Sequence, residues 1–292
     1  MPRSGRPKSI TTPRMKKLVR DRIRRNPLRS MRKMAAEVHI SKGSMQNLVK
    51  NELDFRSYKR KTVHFLSETI KLKRLSRSKG LLTRLETENL DRFLFSDEKL
   101  FSIEQATNKQ NDRILAPNSS SIPEDVLYVA RTQKPRSIMV WAGISANGRT
   151  PLIFIPEGVK INAATYRQLI LEPVIKHSSR NIFRNQPFVF QQDGAPAHTA
   201  NITQKWLHEN ISGFLSKEEW PPSSPDLNPM DFSIWAILEA KACAKSHNNL
   251  DSLKRSLVKE WEKIPQEVLR AAVESFPTRL RSVVKNKGGY IE

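Results

Sequence analysis

The most constraining stretch of the chain runs from Phe188 to Trp235. It opens with an unbroken apolar run, Phe188-Val189-Phe190, followed by Gln191-Gln192-Asp193-Gly194. A short run apolar on both faces reads as a strand buried on both faces, and the Asp-Gly pair ends it in a turn. Such a strand belongs inside a sheet covered by helices, and it delivers a carboxylate to its own C-terminal edge. The stretch closes with Pro221-Pro222-Ser223-Ser224-Pro225-Asp226-Leu227-Asn228-Pro229. This rigid loop ends in an Asn N-cap and a Pro at the first helical position, so the following helix carries Asp231 in its first turn.

A third carboxylate lies far upstream. In Phe93-Leu94-Phe95-Ser96-Asp97-Glu98-Lys99-Leu100-Phe101-Ser102-Ile103, strand alternation places Phe93, Phe95, Asp97, Phe101 and Ile103 on one face and Glu98 on the other. An aspartate in a phenylalanine row is costly to bury without a partner such as a metal. Taken singly, Asp193-Gly194 is also an ordinary turn pair, and Asp231 is an acid where the helix dipole welcomes any acid. Together, three acids at one sheet edge can hold two divalent cations, a pair able to cut or join phosphodiesters.

The elements around these acids read as an α/β domain. Ser137–Ile144 and Leu152–Ile155 are apolar runs joined across Asn147-Gly148, a hairpin signal. A helix is expected from about Asn162 to Lys176, another from about Ala200 to Asn210, and a short strand at Ile211–Leu215. Three strands, helix, strand, helix, strand, helix is the order of an RNase H-like mixed five-stranded sheet with flanking helices. In open sheets the site lies at strand ends, where Asp193 falls.

Charge divides the chain differently. Of the formal net charge of +22, residues 1–84 carry +20, with 25 Lys and Arg against 5 Asp and Glu, which leaves +2 for the remaining 208 residues. A basic head on a near-neutral body suits a polyanion; a ribosomal or chromatin-type tail is the competing reading. The head, however, has folded-domain periodicity. A helix is expected from Pro13 to Arg25, stopped by Asn26-Pro27. Ser30 caps a second helix with Met31, Met34, Ala35 and Val38 inward, and Ser41 caps a third with Met45, Leu48 and Val49 inward. This is a helix-turn-helix pattern that sends the third helix into the major groove of double-stranded DNA. Lys42, Ser44, Gln46, Asn47 and Lys50 face outward, with Gln46 and Asn47 suited to adenine. A protein-binding three-helix bundle would need the same apolar spacing. Ahead of it, the Gly-Arg-Pro arm with Arg3, Arg6 and Lys8 can lie in a narrow minor groove.

The domain boundaries expected are a basic arm over 1–12, the helix-turn-helix over 13–52, a basic linker over 53–90 and the catalytic domain with C-terminal helices over 91–292. The single Cys243 excludes an intramolecular disulfide and a cysteine-based zinc finger, and fits a reducing compartment. No apolar run reaches a membrane span and no signal peptide is evident, so no membrane partner is expected.

The segments FSDEKLF (95–101), MVWAGIS (139–145), GVKINAATY (158–166), QQDGAPAHT (191–199) and WPPSSPDLNPMDFSIW (220–235) resemble the catalytic domain of mariner-type transposases of the Tc/mariner superfamily, in order and over nearly the whole body. The head resembles the second of that family's two helix-turn-helix units. The resemblance implies a triad of Asp97, Asp193 and Asp231 holding two Mg²⁺ or Mn²⁺ ions, nicking at inverted-repeat ends, insertion at TA dinucleotides, action as a homodimer on DNA, and a nuclear location. Two departures from the family pattern stand out: 37 residues separate Asp193 from Asp231 and the third acid is Asp rather than Glu, an arrangement one subgroup has; and no first helix-turn-helix precedes the arm. His198, five residues after Asp193, can contact phosphate or a carboxylate, or be a structural histidine. Asn228 reads as the cap of the Asp231 helix, and Trp220 as a brace or a stacking platform. The alternatives are an inactivated or repurposed DNA-binding protein and a nuclease of the same fold.

Overall fold

The computed structural model describes residues 12–57, 65–106, 114–116, 118, 121–128 and 131–291. Arg3, Arg6 and Lys8 lie outside the described residues. The chain divides into two units, Met1–Val63 and His64–Glu292.

In the first unit, α1 (Pro13–Arg25) has Thr12 as N-cap, its side chain accepting from Met15 N, and Asn26 ends it in extended backbone. α2 (Met31–Glu37) is capped by Ser30. His39, with φ 52°, makes the reversal into α3 (Lys42–Asn47), whose cap is Ser41; a π-turn, Leu48–Glu52, prolongs it. Val19, Met34, Ala35, Met45, Leu48 and Val49 form the core. The apolar positions spaced along the three helices thus meet at one centre. Leu18, apolar and on α1, is 40% exposed instead.

In the second unit, β1 (Phe93–Ser102) pairs antiparallel with β2 (Ser137–Ser145) and parallel with β5 (Val189–Gln191), which pairs parallel with β6 (Gly213–Phe214). On the far edge of β2 lie two short pieces, β3 (Gly148–Arg149) and β4 (Ile153–Phe154). The edge position expected for the third strand, at Leu152–Ile155, is therefore broken into two pieces. Pro151 sits at the break, where it has no N–H for the ladder.

Alternation along β1 divides the interior. Phe93, Phe95 and Phe101 enter one core with Trp235, Trp261, Phe276 and Leu280 from the C-terminal helices, whereas Leu94 enters the other with Trp141, Phe190, Tyr166, Ile170 and Leu207. The sheet is thus buried on both faces, as the apolar strands require. The helix expected near residues 162–176 runs as Ala163–Tyr166, a π-turn Arg167–Leu171, and Glu172–Asn181.

The basic stretch over 53–90, expected as a linker partly helical from Leu72, Leu75, Leu81, Leu82 and Leu85, packs its helical part as a piece of the domain. Its second half is α4 (Glu68–Thr87), capped by Ser67 and packed against the helix Phe276–Lys285 inside the catalytic unit. Arg74 on α4 has no exposed surface. A turn at Gly288, φ 83°, passes so close to α4 that a Cβ would stand 1.9 Å from the Lys71 carbonyl oxygen, which leaves glycine as the residue that fits.

Candidate active site

Two of the acids are levelled by strand register. In the parallel β1–β5 pair Phe95 lies opposite Gln191. Asp97 and Asp193 each follow two residues later, so Asp97, still within β1, and Asp193, just past the end of β5, stand at the same level of the sheet. Side-chain bonds then fasten this edge to the loop that carries the third acid. Ser96 Oγ donates to the Gln191 carbonyl (2.7 Å), and Ser96 N donates to Gln191 Oε1 (3.2 Å). Asn228 Nδ2 donates to the Ser96 carbonyl (3.0 Å), while Asn228 Oδ1 accepts from Met230 N (3.2 Å). Asn228, 2% exposed, therefore caps the Asp231 helix and ties it to the strand bearing Asp97. That helix begins as a π-turn, Met230–Ile234, and continues as Trp235–Ala242.

Asp97, Asp193 and Asp231 line one cleft of about 530 Å³, with Glu98, Ala195, Asn228 and the loop from Trp220 to Pro225. Trp220 is buried and stacks on Phe276 with ring centroids 6.1 Å apart, so it braces the loop. Among the described residues no group of three or more His, Cys, Asp or Glu side chains is already gathered at metal-ligating distance. The physical reason is visible in the partners each acid has found. Asp97 Oδ2 accepts from Trp235 Nε1 (2.7 Å). Asp193 Oδ1 is turned to His198 Nδ1 (2.6 Å) and Ala195 N (2.9 Å).

The electrostatics are those of a site short of positive charge. Burial, then repulsion from Asp231, pushes Asp97 up to about 8 against the Trp235 hydrogen bond. Burial also raises Asp231, to about 6, although bonds from Asp97 and Asn228 and the charge of Lys99 work against it. For His198, burial opposes the charged ring, but bonds to Asp193 and Glu98 outweigh it and raise it to about 9. Asp193 is itself lowered: burial works to raise it, and the His198 partnership wins. Asp97 and Asp231 resist ionising and Asp193 stays ionised, and three carboxylates around one cleft are an oxygen donor set suited to a hard divalent ion, so the residues fit Mg²⁺ or Mn²⁺.

A raised value in the folded state means that the folded chain holds the proton more tightly than the unfolded chain. The stability contributed by Asp231, Asp97 and His198 is complete below their ordinary values and is lost as pH rises through about 6, about 8 and about 9 in turn. Metal-free protein is therefore expected to show a falling thermal midpoint over this window. Adding Mn²⁺ should flatten the fall, and a midpoint that climbs with pH would contradict the assignment.

Several participants escaped sequence reasoning. Glu98, on the opposite face from Asp97, meets His198 Nε2 at 3.2 Å. Trp235 and Tyr166 showed only as apolar positions, and Arg74 only as a charge in a basic run. Of the outward residues on α3 and its π-turn, Lys42, Asn47 and Lys50 are exposed and Ser44 and Gln46 half-buried; the Ser44 hydroxyl is taken up by Ser41 Oγ (2.9 Å), and Asn47 Oδ1 accepts from Asn51.

The fold places the second unit in the RNase H-like class. The chain matches the Mos1 transposase of a paired-end complex with the left transposon end, with a TM-score of 0.81 at 19% identity, covering 100% of this chain and 83% of that one. The Mos1 catalytic domain alone gives 0.61 at 20% identity, covering 80% of this chain and 100% of its own. Among sequences, the Tc3 transposase of Caenorhabditis elegans is 28% identical over 297 residues, 97% of this chain and 84% of that protein. The Tc1 transposase of the same organism is 25% identical over 224 residues, 77% of this chain and 78% of its own. No protein-family model matches the chain. The sequences to which this chain is similar over most of its length are transposases of the Tc1/mariner family, and its fold is that of the Mos1 transposase.

Proposed function

We propose that the chain is a cut-and-paste DNA transposase that binds inverted-repeat ends through its first unit and cleaves and transfers strands, into TA sites, at the Asp97, Asp193 and Asp231 cleft. The carrying observation is the set of bonds from Ser96 to Gln191 and Asn228, which brings all three acid-bearing segments to one edge. Asp97, Asp193 and Asp231 would together hold two Mg²⁺ or Mn²⁺ ions. When bound, such ions supply an activated water or 3′-hydroxyl and stabilise the leaving oxygen. The chain's own contribution is placement. Trp235 orients the Asp97 carboxyl, His198 and Ala195 N occupy one oxygen of Asp193 so that the other faces the cleft, and Asn228 fixes the start of the Asp231 helix. Mos1 has been solved with Mn and with Mg, which supports this choice of ion, and its paired-end complexes support action as a homodimer. The nucleus is the compartment where such a reaction meets its DNA.

The test is metal-dependent nicking of a duplex carrying the inverted repeat read from the DNA flanking the gene. Absence of cutting with either ion, on an intact and on a pre-nicked end, would leave only DNA binding. Binding itself makes a separate prediction. Lys42→Ala with Lys50→Ala is expected to reduce the slope of log K against log salt by about 2, because each phosphate neutralised contributes about −0.9. An unchanged slope in a salt titration would move the phosphate contacts elsewhere.

A further inference from the structure

Glu98 follows Asp97 on β1 and alternates to the other face of the strand, yet it still borders the cleft, where it faces His198. The histidine side chain is 4% exposed and lies between two carboxylates, Nε2 at 3.2 Å from Glu98 Oε1 and Nδ1 at 2.6 Å from Asp193 Oδ1. The ring is hydrogen-bonded to Asp193 through Nδ1, and through Nε2 it faces Glu98 Oε1 as an ion pair whose geometry falls short of a hydrogen bond. Its position is over-determined. Tyr166 packs against it with centroids 4.1 Å apart, and its backbone carbonyl accepts from Gln192 Nε2 (3.2 Å) and Gln204 Nε2 (2.9 Å). Tyr166 in turn donates to Gln192 Oε1 (2.9 Å), which locks the amide that holds the histidine. Asp193 is the least constrained member, with 47% of its side chain exposed and its Oδ1 held by His198 and Ala195 N.

We infer that Glu98 is a positioning residue of the metal site, acting through His198 to fix the Asp193 carboxylate with Oδ2 presented to the cleft. This rests on the proposed role of Asp193 as a metal ligand. The physical reason is that an exposed carboxylate on a turn samples several rotamers, and each must be abandoned when a cation binds. A histidine anchored from behind by a second acid removes that freedom beforehand, the same arrangement by which outer carboxylates orient metal-ligating groups. Glu98 is suited to this because adjacent strand residues face opposite ways: one strand supplies a ligand on one face and the anchor of another ligand on the reverse.

The test is Mn²⁺ binding to the full chain, read from the loss of the free-ion electron paramagnetic resonance signal, for Glu98→Gln, His198→Asn and the double variant, with metal-free thermal midpoints as a folding control. Glu98→Gln and His198→Asn are each expected to weaken Mn²⁺ binding by about 10- to 100-fold. The double variant is expected to bind no more weakly than His198→Asn alone, because Glu98 acts only through the ring. A Glu98→Gln chain that binds Mn²⁺ within about twofold of the parent overturns the inference. So does a double variant in which the two losses multiply, since that would mean Glu98 touches or attracts the ion directly. Where the His198→Asn chain does not fold, His198→Gln provides the second background. Asp193→Asn is the control for the premise: undiminished Mn²⁺ binding there removes the metal-site reading itself, independently of how Glu98→Gln behaves.

Discussion

Replacing Asp97, Asp193 or Asp231 by Asn is expected to lower metal-dependent cleavage of a repeat end by about a thousandfold or more, while DNA affinity stays within about threefold of the parent. The size follows from the several kcal/mol of charge stabilisation that an ion at a phosphoryl oxygen contributes, each 1.36 kcal/mol being about tenfold in rate. Binding is spared because the basic head, not the cleft, carries the positive charge. The three variants should differ in stability. Asp97→Asn removes the acid that burial and Asp231 oppose most, so its metal-free thermal midpoint should rise above the parent's at high pH. Asp193→Asn instead strips the buried His198 of a charged partner and should not stabilise. A strand-nicking assay and thermal unfolding on the same preparations check both statements; cutting retained in any one variant would remove that residue from the site.

Arg74→Ala is expected to destabilise the catalytic unit by about 3 to 5 kcal/mol, the usual cost of removing one partner of a buried pair, and to lower the thermal midpoint by about 10 °C. The guanidinium makes a bidentate pair with Asp226, at 3.0 and 2.7 Å, and also donates to the carbonyls of Ser223 (3.0 Å) and Gly288 (2.9 Å). Removing it leaves Asp226 uncompensated and those carbonyls unsatisfied. Arg74→Lys should not rescue, since an ammonium cannot reproduce the fork. The loss also bears on the site. Arg74 clamps the loop whose residues 220–225 line the cleft, and Ser223 there sits at φ 50°, a conformation that needs outside support. Arg77 reinforces the clamp by donating to the Trp220 carbonyl (2.7 Å), as does Arg84 by pairing with Glu219 (2.6 Å). A midpoint shift of under about 2 °C for Arg74→Ala would show that α4 is not held as described.

Much of the scaffold was legible because it is local. Ser30, Ser41 and Asn228 announced helix starts by residue type, and their caps are in place. The apolar run at residues 188–190 required a doubly buried strand, and β5 is one. The alternation in β1 placed Asp97 in a phenylalanine row and Glu98 on the reverse face, as found in the two cores. The failures have a common cause as well. The basic stretch over 53–90 offered charge without strong amphipathic patterning and so read as linker. What holds α4 in the domain is tertiary: Leu81 enters the core, and the buried Arg74 has partners that lie 149, 152 and 214 residues away. His198 likewise left phosphate, carboxylate and plain packing open, because nothing within a few residues says which group it will meet.

The amino-acid order by itself determined the basic head and its three helices, the apolar strands at the centre of the sheet, and the strand positions and helix start that carry the three acids. Each of these depends on neighbours within a turn or a pleat. Only the tertiary structure decided that Ser96 joins Gln191 to Asn228, that Asp193 turns toward a histidine held by Glu98, and that Arg74 grips the loop before Asp231. Those pairings arise when the sheet closes and its two faces are covered, so they are set by which segments burial brings together and not by any pattern a short stretch of chain can display.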